Sequence, residues 1–255
     1  MQANVNGTTM PVLEMMLDPG EAVVSTHGDL SWMTPNVQLS QTTSAAGAGG
    51  IMAGLKRMAG GGGLLLTRYE AVGGQGMVSF AAKLPGRIFP VDVSPGHGYV
   101  VHRHGWLCGT QGIVPSVALQ QSFRGGVFGG EGFILQKLEG EGRAWIELSG
   151  EVATYDLAAG QSLLVHPGHA GLFTDSVTFS VIRLPGIVNR YFGDDGHHLV
   201  SLTGPGSVWL QSMPIPVLAQ TLSEYMGDRG SGSGRDAAAG GVVGGVLGNV
   251  LGRQV

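Results

Sequence analysis

The stretch Phe128–Leu148, FGGEGFILQKLEGEGRAWIEL, recurs 64 residues later as residues 192–212, FGDDGHHLVSLTGPGSVWLQS. The positions that coincide are mostly glycines and aromatic residues: Phe128, Gly132, Gly140, Gly142 and Trp145 become Phe192, Gly196, Gly204, Gly206 and Trp209. A fixed period of this kind indicates an internal structural repeat, in which every copy has the same local fold.

Shorter matches extend the repeat toward the N-terminus. The turn residues 93–96 (VSPG) and 157–160 (LAAG) are again 64 residues apart, and residues 17–20 (LDPG) open a third copy. These matches divide the chain into three tandem units, at residues 11–88, 89–154 and 155–213. We therefore expect one body over residues 1–213, followed by a linker and a glycine-rich tail over residues 214–255.

The repeated stretch is typical of β structure. Apolar and polar residues alternate in Arg143–Leu148, so every second side chain lies on the same face of a strand. Each Gly-x-Gly pair (74–76, 140–142 and 204–206) lies between two apolar runs, where a tight turn needs positive φ. The pattern predicts that the two strands form a β-hairpin, and it predicts an all-β sandwich or barrel.

Composition excludes several classes of protein. Lys and Arg number 14 against 18 acidic residues, for a net charge of −4, and the cations are scattered, so no nucleic-acid partner is expected. Cys108 is the single cysteine and is expected to pack as a small buried apolar residue. The first residues resemble no signal peptide, and no apolar run is long enough to span a bilayer, which favours the cytoplasm.

Four stretches together resemble the altered inheritance of mitochondria protein 24 family. They are LDPGE (17–21), GLKR (54–57), FGGEGF (128–133) and LTGPGSVWLQ (202–211). The resemblance implies three tandem units similar to the trp RNA-binding attenuation protein subunit, a short double-stranded β-helix, in a pseudo-threefold arrangement. It also implies a bacterial homotrimer with nine similar units in a ring. The mitochondrial member of the family is associated with inner-membrane organisation.

The histidines offer an alternative function. His102 and His104 follow a glycine as in the first metal motif of cupins, and His166 and His169 lie at the corresponding place in the third unit. Imidazole pairs of this kind are good ligands for zinc, iron or nickel. However, residues 105–117 contain no acidic residue where a cupin site needs one, so surface or turn histidines are the favoured interpretation.

Other candidate sites have structural explanations. The Gly-x-Gly pairs are followed by strands rather than by the helix that a phosphate-binding loop requires. Trp145 and Trp209 occupy equivalent positions and are expected to pack in a core or subunit interface, the alternative being a base-stacking platform. No nucleophile–histidine–acid pattern stands out, so we expect no enzyme, no catalytic residue and no cofactor.

Two glycine-rich segments remain. Residues 44–63 interrupt the first unit, and their apolar stripe predicts a short helix that covers the barrel end or rests on an acidic lipid surface. In Gly240–Gly252 glycines recur at four-residue steps, the small-xxx-small pattern of packed membrane helices, yet 13 residues are too short to span a bilayer core of about 30 Å.

The sequence therefore favours a non-enzymatic scaffold or interaction protein. It would assemble with itself into a homotrimeric ring and attach to an unidentified protein partner, or peripherally to a membrane, through Gly240–Gly252. The alternatives are a cupin-like metal enzyme or sensor that uses the paired histidines, and an RNA-binding ring.

Overall fold

The structure is a computed structural model that describes residues 1–43, 64–121, 133–183 and 198–226. Its described residues form nineteen strands and, near the end, one α-helix, so the all-β prediction is confirmed. The strands preceding residue 82 are β1 (Gln2–Asn6), β2 (Val12–Leu17), β3 (Ala22–Thr26), β4 (Trp32–Met33), β5 (Val37–Thr43), β6 (Leu65–Ala71) and β7 (Gly76–Ala81).

The remaining strands follow in two further groups of six. The first group is β8 (Gly86–Val93), β9 (Tyr99–His102), β10 (Trp106–Thr110), β11 (Ile113–Gln121), β12 (Phe133–Gly140) and β13 (Gly142–Ser149). The second group is β14 (Val152–Leu157), β15 (Ser162–Val165), β16 (Ala170–Thr174), β17 (Thr178–Arg183), β18 (His198–Thr203) and β19 (Gly206–Gln211).

One antiparallel pairing scheme occurs three times along the chain. We call β2–β7 set I, β8–β13 set II and β14–β19 set III, and we letter the strands of each set a to f in chain order. In every set d pairs with e, e with b, a with f, and f with c. The strands of one set are thus divided between two sheets, with a, c and f in one and b, d and e in the other.

The repeated stretch is not a β-hairpin. β12 pairs with β11 and β9, whereas β13 pairs with β8 and β10 in another sheet. The Gly140-Glu141-Gly142 link therefore carries the chain from one sheet to the other. Alternation and a glycine turn are common to hairpins and to such corners, so the sequence pattern could not separate them.

The glycines of this link are required by close backbone contact. Gly140 has a φ of +104°, and a Cβ placed there would lie 2.0 Å from the carbonyl oxygen of Gly112. A Cβ on Gly112 would lie equally close, 2.0 Å, to the carbonyl oxygen of Glu141. Where the chain crosses between the sheets, there is room for the hydrogen side chain of glycine and for no larger side chain.

Each set encloses apolar side chains between its two sheets. Along β2 buried and half-buried residues alternate, as period-two packing requires. The fully buried side chains include Leu13, Phe80, Trp106, Leu138, Ile146, Phe173 and Val200. Tyr69 and Phe80 meet edge to face, with ring centroids 5.8 Å apart, a favoured aromatic arrangement.

One element was not predicted from the sequence. An α-helix, α1 (Ile215–Met226), occupies residues that the sequence analysis assigned to the linker. Pro216 lies in the first helical turn, where a missing N–H breaks no helical hydrogen bond. Residues Met1–Gln220 form one compact unit.

Other predictions lie outside the described residues. These include the helix within residues 44–63 and the tail Gly240–Gly252. Among the described residues, no helix has the length and apolar character needed to cross a membrane.

Candidate functional site: two open strand edges

Strand b of one set joins strand c of the next set. β3 pairs with β10 in the register Val23↔Thr110, Val24↔Gly109 and Ser25↔Cys108. β9 pairs with β16 in the register Tyr99↔Thr174, Val100↔Phe173 and Val101↔Leu172. Two continuous six-stranded sheets result, each built from half of one set and half of the next.

The same two strands are left open at the ends of the series. Strand c of set I is β4, which pairs with β7 alone among the described residues. Strand b of set III is β15, which pairs with β18 alone in that part of the chain. Each therefore presents one row of main-chain N–H and C=O groups without a strand partner, a template for further pairing.

Large apolar side chains are exposed on both open strands. Trp32 of β4 is 45 % exposed and Leu164 of β15 is 52 % exposed. Their counterparts at the first internal junction, Cys108 on β10 and Val24 on β3, are both buried. The open edges thus carry the kind of side chain that the internal junctions cover.

A threonine fixes the position of β4 relative to the other c strands. The hydroxyl of Thr34 accepts a hydrogen bond from Met77 N at 2.9 Å. Thr110 accepts one from Arg143 N at 3.1 Å, and Thr174 accepts one from Ser207 N at 3.2 Å. Each donor follows the first glycine of its f strand, so Thr34, Thr110 and Thr174 are equivalent.

The structure does not gather the four histidines of the metal alternative. His102 ends β9, His104 lies in the following turn, and His169 ends the short 3-10 turn Pro167–His169. The rings of His166 and His169 meet edge to face at 5.7 Å, and His169 Nδ1 lies 2.7 Å from the carbonyl oxygen of Gln211. Within the described ranges, no three His, Cys, Asp or Glu side chains could together hold a metal ion.

His102 and His104 line a small cavity of about 90 Å³. Its other walls combine the apolar Phe133, Ile134, Ile215 and Pro216 with Arg103, Ser149, Gly168 and Gln211. His102 Nε2 is buried without a hydrogen-bond partner among the described residues. The space suits a few water molecules, which need at least about 10–15 Å³ each, rather than a substrate, whose pockets measure roughly 300–1,000 Å³.

Burial determines the protonation of this histidine pair. Burial, with a smaller contribution from neighbouring His104, lowers the pKa of His102 to about 3. Burial also lowers the pKa of His104, followed by the effect of the Arg103 charge. Both rings are therefore neutral near pH 7.

The structure buries Trp145 and Cys108 and leaves Trp209 partly buried. Trp145 is 4 % exposed and packs in the core, which excludes it as a base-stacking platform. Trp209 is partly buried and lies 6.1 Å from Tyr99, measured between ring centroids. Cys108 is fully buried, as predicted, and burial raises the pKa of its thiol.

Sequence reasoning missed the residues that matter most at the junctions. Trp32 and Leu164 carry no motif, and they lie on β4 and β15, each of which pairs with a single strand in the described part of the chain. Glu147 and Gln211 were also missed, although both are only 4 % exposed. Their spacing of 64 residues was the one available signal.

Comparison with known proteins agrees with this architecture. A crystal structure of a protein from Streptococcus pyogenes superposes with a TM-score of 0.68 at 19 % identity, and the match covers 88 % of this chain and 99 % of the other. That similarity supports the fold alone. No match was found among curated proteins. The profile of a family described as "Mitochondrial biogenesis AIM24" matches residues 3–213, and the chain belongs to this family.

Proposed function

We propose that the protein is a non-enzymatic scaffold that assembles head to tail into a closed ring. One observation carries the proposal: the b–c junction occurs twice within the chain, and its two halves remain open at opposite ends of the series. In the ring, β15 of one copy pairs with β4 of the next. A contact between two different surfaces closes into a ring when the rotation between copies returns to the start.

The internal junctions give the register of this contact. Thr34 is equivalent to Thr110 and Thr174, so the pairs are Leu163↔Thr34, Leu164↔Met33 and Val165↔Trp32 between copies. Trp32 and Leu164, both exposed in the single chain, then lie at the interface. Burial of such side chains together with strand pairing stabilises the assembly.

Three copies are the number that the family resemblance implies, which gives nine sets in one ring. Light scattering tests this number on the full-length chain. A mass of three chains is expected, whereas a monomer at micromolar concentration would contradict the scaffold assembly.

A designed disulfide tests the register. Residues opposite each other in antiparallel strands have Cα atoms about 4.5–5.5 Å apart, within the disulfide range of about 4.4–6.8 Å. The double variant Met33→Cys, Leu164→Cys should form a covalent trimer on oxidation, because each copy links to the next. Native Cys108 is buried and does not interfere.

Two control variants sharpen the result. Met33→Cys with Ser162→Cys places the second thiol two residues out of register on the same strand and should crosslink far less. Each single cysteine variant should remain uncrosslinked. Equal crosslinking at residues 162 and 164 would contradict the proposed pairing.

The ring surface would present partners with repeated, symmetric sites, and the glycine-rich tail would provide attachment. The small-xxx-small pattern of Gly240–Gly252 supports this role. The protein would be cytoplasmic, and its tail would contact either a membrane surface or a protein partner. Deleting residues 227–255 should abolish recruitment in cells while the trimer mass is kept. Unchanged recruitment would remove the tail from the proposal.

Ion pairing favours a scaffold over an RNA-binding ring. Lys83 pairs with Asp29 at 2.6 Å, and Lys137 with Glu139 at 2.8 Å. Arg68 and Arg143 pair with Glu70 and Asp92. Cations neutralised in this way contribute little to phosphate binding.

A further inference from the structure

Glu147 and Gln211 occupy equivalent places at the ends of two f strands. Each lies five residues after the glycine that opens its strand, Gly142 in β13 and Gly206 in β19. Glu147 Oε1 accepts a hydrogen bond from Lys83 N at 2.6 Å, and Gln211 Oε1 accepts one from Ser149 N at 3.1 Å. The first contact ties set II to the loop after β7, and the second ties set III to the last residue of β13.

The second polar atom of each side chain differs. Gln211 Nε2 donates a hydrogen bond to the carbonyl oxygen of Gly168 at 3.0 Å. Glu147 Oε2 is buried and has no hydrogen-bond partner among the described residues. Glu147 thus has an acceptor oxygen where Gln211 has a donor nitrogen.

The repeat identifies the group that Glu147 Oε2 should meet. Gly168 lies in a turn closed by His169 N donating to His166 O at 2.9 Å. The matching turn of set II is closed by Gly105 N donating to His102 O at 2.8 Å. The carbonyl of His104 in that turn corresponds to the carbonyl of Gly168.

An ionised carboxylate cannot make this contact, because both of its oxygens only accept hydrogen bonds. A protonated carboxylic acid can, since its O–H donates to a carbonyl as the amide N–H₂ of glutamine does. Glu147 as an acid and Gln211 as an amide would then make the same two hydrogen bonds.

The surroundings of Glu147 favour the protonated form. Burial raises the pKa of Glu147, and the charge of Asp29 acts in the same direction. Main-chain N–H groups of Lys83 and Leu84 and the Lys83 ammonium act against it. That ammonium is paired with Asp29 at 2.6 Å, and nearby His102 and His104 contribute no positive charge when neutral.

We propose that Glu147 is a carboxylic acid in the folded protein, that its Oε2–H donates to the His104 carbonyl, and that deprotonation at higher pH breaks this link between β13 and the turn after β9. The equivalent link in set III, from Gln211 Nε2 to the Gly168 carbonyl, does not respond to pH. The fold therefore carries one pH-sensitive and one pH-insensitive version of the same connection.

The direction of the pH effect follows from the raised pKa. The folded state holds the Glu147 proton more tightly than the unfolded chain, whose ordinary value is 4.5. The stabilising contribution is complete below that value and is lost as the pH rises through the higher pKa of the folded state. Each unit by which folding raises the pKa of Glu147 corresponds to a tenfold change in the unfolding constant.

Glu147→Gln tests the proposal in the full-length protein. Urea unfolding of wild type and E147Q should give similar unfolding constants at pH 4.5. At pH 8 the wild type should be the less stable, by about tenfold for each unit of pKa elevation. The matched variant Gln211→Glu should be less stable than wild type at pH 8, by the same factor by which wild type is less stable than E147Q.

The opposite result would overturn the proposal. If E147Q is less stable than wild type at pH 8, Glu147 acts as a carboxylate. A direct readout is independent of the stability of the variants: the side-chain carboxyl ¹³C resonance of Glu147 should titrate at a higher pH in the native protein than in urea. Titration at or below the unfolded value would contradict the proposal.

Discussion

Thr110 on β10 accepts a hydrogen bond from the main-chain N–H of Arg143 on β13, with Oγ1 and N 3.1 Å apart. Gly142 beside this contact has no room for a side chain, because its Cβ would lie 2.0 Å from the same hydroxyl oxygen. The hydroxyl and the glycine together hold strand c against the start of strand f. Equivalent contacts at Thr34 and Thr174 hold the other two sets.

Thr110→Val tests the energetic value of this contact. Valine keeps the shape of threonine but leaves Arg143 N–H without the hydroxyl acceptor, which should lower the free energy of unfolding by about 1–2 kcal/mol. Thr110→Ser keeps the acceptor and should cost less. Urea unfolding measures both, and a serine variant as unstable as the valine variant would assign the effect to the methyl group.

Gly140→Ala should be among the most damaging single changes in the chain. It combines a positive φ of +104° with a Cβ 2.0 Å from the Gly112 carbonyl oxygen. Backbone strain and overpacking each cost about 1–3 kcal/mol, so a loss of roughly 3 kcal/mol or more is expected in thermal or urea unfolding.

Gly20→Ala is the matched control for this prediction. Gly20 also has a positive φ, +84°, but no atom lies within 4 Å of a Cβ placed there. The left-handed backbone alone should cost about 1–2 kcal/mol. Equal losses for the two variants would show that the close approach at Gly140 is relieved by movement of the chain.

Because the sequence repeats, the fold class could be predicted from it, but which strands pair with each other could not. The spacing that relates Trp145 to Trp209 indicated a repeat, the alternation in Arg143–Leu148 indicated β structure, and the all-β prediction is confirmed. The hairpin prediction was wrong because strand partners are set by distant residues. β13 pairs with β8 and not with the adjacent β12. At one end of this pairing, Gly142 lies opposite Val93, about fifty residues earlier in the chain.

The candidate site depends on the same long-range information. Trp32 and Leu164 are unremarkable apolar residues in the sequence. They become a site because, within residues 1–43, 64–121, 133–183 and 198–226, β4 and β15 each have one strand partner where β10 and β9 have two. The His102-x-His104 pattern was visible in the sequence. Among the described residues it belongs to no metal cluster, and the chain turns after β9, so the two rings do not continue along one strand face.

Cys108 should be unreactive in the native protein. It is fully buried, and burial raises the pKa of its thiol, so the reactive thiolate is scarce at pH 8. A thiol reagent should modify it at least about a hundredfold more slowly in the native state than in urea. Tyr155→Cys, at a position that is 47 % exposed, provides the reactive control. Comparable native rates at the two positions would contradict the burial of Cys108.

His102 should make the protein less stable as the pH falls below neutrality. Its pKa is lowered to about 3 in the folded state from an ordinary value of 6.5, so the unfolded chain binds a proton that the folded protein does not. Stability is complete above 6.5 and falls toward pH 3, with a loss of about 2 kcal/mol expected at pH 5. Urea unfolding of His102→Gln between pH 7 and 5 should show a shallower dependence than wild type.

Glu147 acts in the opposite direction in part of this range, because its raised pKa adds stability as the pH falls. The His102 effect is therefore measured most cleanly in the E147Q background, with His97→Gln as a control at an exposed histidine. If H102Q/E147Q and E147Q lose stability in parallel from pH 7 to 5, His102 takes up a proton in the folded state. In that case the ring must reach water, and the cavity beside it must open to solvent.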